Sequence, residues 1–197
     1  MPTYCDRCHT SLDLPTSPRT VVLTHQGKPH ETICINCYNK ETGAAHGVNL
    51  PNLPFDMITM LDSTGRERHF NVSTRVVPRY TIVHATETTD NGQPGYEFAT
   101  RASHKTNIYT ACEKLIKKME RELNNQYISE HTAEGHKLRA IDGDLVKGRF
   151  EFDEDSQDDA PLVVVDGHPY SWSEFGRILR QFEGFHFKIK ISDITDD

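Results

Sequence analysis

The chain has 197 residues, 36% of them hydrophobic and 26% charged, with a formal net charge of −7. That length suits one ordinary domain plus a small module, and the apolar content is lean but still globular. No apolar run approaches the roughly 18 residues of a membrane-spanning helix, and the acidic balance disfavours general binding to a phosphate backbone.

The first 45 residues carry the clearest signal. Cys5-Asp-Arg-Cys8 is followed, 25 residues later, by Cys34-Ile-Asn-Cys37. Two Cys-x2-Cys pairs have the spacing of a four-thiolate zinc site: each pair sits on a tight turn, and two pairs complete a tetrahedron with no open position. Between them, Thr20-Val-Val-Leu-Thr24 reads as a β-branched strand. His25-Gln-Gly27-Lys-Pro29 reads as a turn, and His30-Glu-Thr-Ile33 as the returning strand. This order of knuckle, strand, turn, strand and knuckle resembles a zinc ribbon, with Cys5, Cys8, Cys34 and Cys37 at the ligand positions of a structural Zn2+. A ribbon implies metal and shape, not a partner.

Other readings of these cysteines stay open. Cys5-Asp-Arg-Cys8-His9 also fits covalent c-type haem attachment. Haem of that type requires export, Met1-Pro-Thr-Tyr4 runs straight into Cys5 with no signal peptide, and haem leaves Cys34 and Cys37 without a role. A redox pair would open a helix after a strand, and neither pair reads so. Disulfides need an oxidising compartment, which nothing in the sequence suggests; the expectation is a cytoplasmic protein. His9, His25 or His30 remain candidates to replace one cysteine.

Tyr38–Thr42 reads as one helical turn. Residues 46–55, with Gly47, Pro51 and Pro54, read as a stiff linker. Met57–Leu61, Arg66–Ser73, Arg79–Ala85 and Tyr96–Arg101 then read as antiparallel strands of period two. Phe70 and Val72 share one face; Tyr80, Ile82 and His84 share another, opposite Val83. Residues 106–124 form a helix whose stripe is Ile108, Cys112, Leu115, Met119 and Leu123, capped by Thr106 or Asn107. Cys112 inside that stripe reads as a buried core thiol.

Ser129–Arg139 reads as a short second helix, and Leu145–Phe152 as a strand. Asp153–Asp159, with five carboxylates, lacks the spaced ligands of a calcium loop and reads as a solvated hairpin tip. Pro161–Val165 is a buried strand. Ser171-Trp-Ser-Glu174 is a capping box opening a helix with Trp172, Phe175, Ile178, Leu179 and Phe182 on its apolar face. Gly184 ends it, and Phe185-His-Phe-Lys-Ile-Lys-Ile191 alternates as a strand, so that strand–helix–strand reads as the core of the main domain. From Ser171 to Gly176 and from Glu183 to Ile189 the chain resembles an uncharacterised bacterial family that pairs an N-terminal Cys-x2-Cys zinc module with an α+β domain; the resemblance implies no activity.

The fold class is therefore α+β: a zinc ribbon over residues 1–45, a linker over 46–55, and an antiparallel-sheet domain over 56–197 with two main helices. Residues 142–197 carry 6 basic and 14 acidic side chains, so they hold most of the negative charge. Arg66, Arg68, Arg75 and Arg79 read as a solvated sheet face. Eleven histidines form no recognised catalytic motif. His84 and His104 near Asp62, and His168 with His186, are the candidate histidine pairs. No residue is assigned a catalytic role. A non-enzymatic interaction or regulatory module with a protein partner is expected. The alternatives are a hydrolase or nuclease using histidines and a separate metal, and nucleic-acid binding through the ribbon.

Overall fold

The computed structural model describes residues 3–12, 20–24, 29–50, 53–90, 92–133, 135–153 and 159–196. Residues 25–28 of the expected His25–Pro29 turn, Pro51, and residues 154–158 of the acidic run lie outside these.

The N-terminal hairpin pairs β1 (Thr20–Leu23) with β2 (Glu31–Cys34). It runs directly into α1 (Ile35–His46). The expected single turn is thus a 12-residue helix. The sequence hides it because its polar composition makes no apolar stripe, but its ends are well defined. Cys34 caps the start through its sulfur, which accepts the Cys37 amide. Gly47 closes the end at φ 66°, the left-handed conformation that glycine adopts without strain.

Four strands follow as an antiparallel meander: β3 (Met57–Leu61), β4 (Glu67–Val77), β5 (Tyr80–Glu87) and β6 (Glu97–Ser103). Helix α2 (Ile108–Leu123) lies on it, with Asn107 as the cap. The anticipated stripe is buried against Phe70, Val72, Val83, Ala85 and Phe98. Cys112 is 2% exposed, and burial raises its thiol pKa, as expected of a core thiol. The expected alternation of β5 holds, and the structure shows which face is inward. Thr81, Val83 and Ala85 point to the core, while Tyr80, Ile82 and His84 are only half-buried. Alternation shows which residues share a face, and packing on α2 decides which face is inward.

The hairpin β7 (Ile128–Ala133) and β8 (His136–Ile141) replaces the expected helix over Ser129–Arg139. Gly135 at φ 78° turns the chain where a right-handed helix could not continue. Next come β9 (Arg149–Glu151), β10 (Leu162–Val165) and β11 (His168–Tyr170), in spatial order β11-β10-β9. Then α3 (Trp172–Leu179) opens with the predicted capping box, the Ser171 hydroxyl accepting from the Glu174 amide and Glu174 accepting from the Ser171 amide. A 3-10 turn over Arg180–Phe182 follows.

Residues 56–197 hold two hydrophobic cores rather than one. Ile128, Ile141, Val163, Val165, Tyr170 and Ile178 form a cluster apart from that under α2. The alternating segment Phe185–Ile191 is not a strand of either core. It is exposed and pairs with no strand, because period two sets side-chain faces but cannot supply a backbone partner.

Gly167 knits the two cores. It sits at φ 69°, and a Cβ there would lie 2.4 Å from Cδ2 of Tyr96. Gly167→Ala therefore combines left-handed strain with a clash against a ring, and is expected to lower stability by about 2 kcal/mol or more. Urea denaturation tests this; an unchanged midpoint would mean that the Tyr96 ring yields freely.

Candidate metal centre

The four cysteines come from three pieces of local structure. Cys5 and Cys8 lie on a tight turn closed by the His9 amide donating to the Cys5 carbonyl at 2.9 Å. His9 itself takes φ 57°, which a non-glycine residue adopts only at some cost. Asp6 pins this turn to β2: its carboxylate accepts the Thr32 amide at 2.6 Å, and its own amide donates to the Thr32 carbonyl at 2.9 Å. Arg7 reaches across to Glu31 at 2.7 Å and Glu41 at 2.8 Å. Cys34 ends β2, and Cys37 stands in the first turn of α1. The second pair is therefore a helix start and not a second knuckle, which corrects the ribbon expectation. It also corrects the view that neither pair opens a helix after a strand, since Cys34-Ile-Asn-Cys37 does.

The ligand atoms of all four residues lie within 4.8 Å of one another. Sulfurs about 2.3 Å from a central ion at tetrahedral positions have mutual distances of about 3.8 Å. Cys8 Sγ and Cys34 Sγ stand 3.7 Å apart, far beyond the roughly 2.05 Å of a disulfide. Backbone donors are aimed at the sulfurs: the Cys34 amide lies 3.3 Å from Cys5 Sγ, and the Cys37 amide 3.4 Å from Cys34 Sγ. The Thr10 hydroxyl is 3.2 Å from Cys8 Sγ.

The thiols are pushed in opposite directions. Burial opposes ionisation of Cys5, but the amides of Cys34, Cys8 and Arg7 outweigh it and pull its pKa down. Burial first, and then the neighbouring sulfurs, push Cys37 up. Four thiolates at this spacing would repel strongly, and a divalent cation among them removes that cost. The donor set therefore fits one metal ion. His9 and His30 are exposed and stand outside the four-sulfur group, and His25 lies outside the described residues.

The centre rests on a very small core of Cys5, Ile33 and Cys34, but it is tied to the sheet. The first half of β4 pairs with β3, from Glu67 to Asn71. Beyond that, the side-chain amide of Asn39 on α1 takes a strand's place. Its Nδ2 donates to the Thr74 carbonyl at 2.7 Å, and its Oδ1 accepts the Val76 amide at 2.8 Å. Arg75 lies over the Tyr38 ring, 5.3 Å from its centre.

A second concavity, a cleft of about 340 Å3, lies between the two larger cores. Arg68 stands on its wall between Asp62 at 2.8 Å and Glu87 at 2.9 Å, with side-chain exposures of 15%, 4% and 5%. Asp166 accepts the Tyr127 and Ile128 amides at 2.9 and 2.8 Å. Among the described residues, every buried side-chain nitrogen and oxygen has a partner. The Arg68 triad was not foreseen: the arginines expected to share a face are split, Arg68 into the triad and Arg75 onto Tyr38. The turn-forming run Asp62-Ser-Thr-Gly65 is its one local signal in the sequence. Among the described residues, the candidate histidines His84, His104 and His168 contact other groups. His84 faces Glu97 at 3.9 Å, His104 bonds the Val77 carbonyl, and Asp62 is held by Arg68 and Thr64. His168 packs edge-on against Tyr170 in the cleft wall, while His186 lies on the exposed segment.

The architecture is thus an α+β chain headed by a four-cysteine module built as knuckle, hairpin and helix. Residues 51–124 match a family model described as a domain of unknown function (DUF7686), and residues 127–196 match a second, described as a domain of unknown function (DUF7713). The two spans meet between α2 and β7, where one core gives way to the other. No curated protein and no solved structure matches the chain. Among the described residues, no helix is long and apolar enough to cross a membrane.

Proposed function

We propose that this chain is a zinc-stapled interaction or regulatory module, in which Cys5, Cys8, Cys34 and Cys37 bind a structural Zn2+ and no catalytic role falls to the metal. The observation that carries this reading is the convergence of four sulfurs on one point. Four thiolates fill every position of a tetrahedral ion, so no position remains for a substrate or an activated water. The metal's work is to fix the start of α1, and α1 in turn holds the open edge of β4 through Asn39. The partner is a protein. The acidic C-terminal segment favours a basic surface and speeds encounter more than it tightens binding.

Metal analysis with an absorbance scan tests the proposal, on protein purified without added metal. One zinc per chain and no visible band is the expected result. A second equivalent would sink the non-enzymatic reading, because a closed site leaves any further ion to histidines and carboxylates. A haem band would reassign Cys5, Cys8 and His9.

A further inference from the structure

The segment from Phe185 to Ile191 is built like a strand, yet it pairs with nothing. Phe185, Phe187, Ile189 and Ile191 are 72%, 86%, 68% and 77% exposed. They alternate with His186, Lys188 and Lys190. Among the described residues, no hydrogen bond, ion pair or ring contact involves residues 186–192. Both ends are nevertheless held. The Phe185 ring meets Phe182 edge-on, 6.0 Å between centres. Lys118 donates to the Ile194 and Asp196 carbonyls, and Arg101 pairs with Asp196 at 3.2 Å. A segment tied at both ends, alternating apolar and polar in sequence and with free backbone groups, is suited to strand addition.

The same chain carries a matching surface. β9 is the outer strand of its sheet. Phe150 at 51%, Phe152 at 76% and Trp172 at 51% exposure form an apolar patch beside it, with Phe150 and Trp172 in ring contact at 6.3 Å. Glu151, which already holds Arg149 at 2.9 Å, and Asp153 alternate with those phenylalanines, so an added lysine would share these carboxylates rather than find them unpaired. Apolar pairs with apolar on one face, and lysine meets carboxylate on the other. Pairing two such tails with each other is disfavoured. An antiparallel register centred on Lys188 would set that lysine against its own copy, and His186 against Lys190. β3, an edge strand with exposed Met57 and Leu61, carries no carboxylate between them.

We propose that Phe185–Ile191 of one chain adds as a fourth strand to the β9 edge of a second copy, and that the exchange is reciprocal, closing a two-fold dimer. The area suffices. The four tail residues and the three β9-side aromatics expose on the order of 1,000 Å2 per chain, so reciprocal exchange covers at most roughly 2,000 Å2, a ceiling within the range of stable dimers. The inference stands whether or not the cysteines carry zinc.

Sedimentation of the full chain at micromolar concentration is expected to give twice the 22.5 kDa chain mass. Lys188→Glu with Lys190→Glu, and separately Phe152→Asp, should each weaken dimerisation roughly tenfold or more while leaving the far-ultraviolet spectrum unchanged, since all three side chains are exposed. p-Benzoylphenylalanine in place of Phe187, in a mixture of isotope-labelled and unlabelled chains, should capture residues 149–153 of the other copy. A monomer at every concentration overturns the proposal. So does capture within the same chain, capture of the partner's tail, or dimerisation indifferent to the Phe152 and lysine changes.

Discussion

Cys34→Ser is expected to unfold residues 3–46 while leaving the sheets and helices from β3 to α3 in place. The substitution is a clean one because serine is itself a good helix cap. The hydrogen bond that Cys34 provides to the Cys37 amide can be replaced, so what is lost is the fourth thiolate. The module has little else to hold it. Its core has three fully buried residues, two of them cysteines of the site. A unit of that size does not fold on apolar burial alone. Zinc in such modules contributes on the order of 10 kcal/mol or more of apparent binding free energy, which is also folding free energy. Chelation of the wild-type protein should have the same outcome. Amide exchange reads it directly. The Val76 amide, donated to Asn39 Oδ1, should lose protection together with α1. The fluorescence of Trp172, on α3, should not move. If the variant keeps its metal and an unchanged amide spectrum, the four-thiolate assignment fails.

Arg68→Met is expected to cost about 3–5 kcal/mol, because it leaves the Asp62 and Glu87 carboxylates buried without their cation. The guanidinium also lies over the Tyr96 ring, 5.4 Å from its centre, so packing is lost with the charge. Adding Asp62→Asn and Glu87→Gln to Arg68→Met should recover much of the loss, since no buried charge would then stand alone. Chemical denaturation of the two variants checks this, and equal stability would show that the triad is not electrostatically coupled. The same site predicts an acid response. Burial works against ionisation of Asp62, but the Thr64 hydroxyl, Arg68 and the amides of Arg66 and Thr64 outweigh it. Together they hold its pKa near 2, against an ordinary value of 3.8. Stability from this group is therefore complete above pH about 4 and is lost as the pH falls toward about 2; by linkage it amounts to about 2 kcal/mol. Asp62→Asn should remove that part of the acid slope.

Some of this was legible in the sequence for a clear physical reason. Four cysteines at metal spacing, the 3.6-residue stripe of α2 and the Ser171–Glu174 box are local signals. Each names its own partners a few residues away, or through one ion. What stayed hidden depends on contacts distant in the chain. α1 is held by its two ends and by Asn39, none of which appears in hydrophobic periodicity. The inward face of β5 was decided by α2. Arg68 takes one carboxylate from the β3–β4 turn and one from the end of β5, and nothing near it in sequence pairs Asp62 with Glu87. The alternation from Phe185 to Ile191 was read correctly as a pattern and wrongly as a paired strand.

The contact between Asn39 and β4 has one more consequence. β4 is the longest strand among the described residues, and from Thr74 to Val76 its outer backbone groups are satisfied by a side-chain amide from the helix that the four-cysteine group begins. Metal loss would thus do more than melt a small module. It would bare the Thr74–Val76 edge of β4, freeing the Thr74 carbonyl and the Val76 amide, the kind of edge from which ordered aggregates grow. The metal content of the chain then sets its colloidal fate, and the apo form should convert to thioflavin-positive aggregate while the loaded form stays in solution.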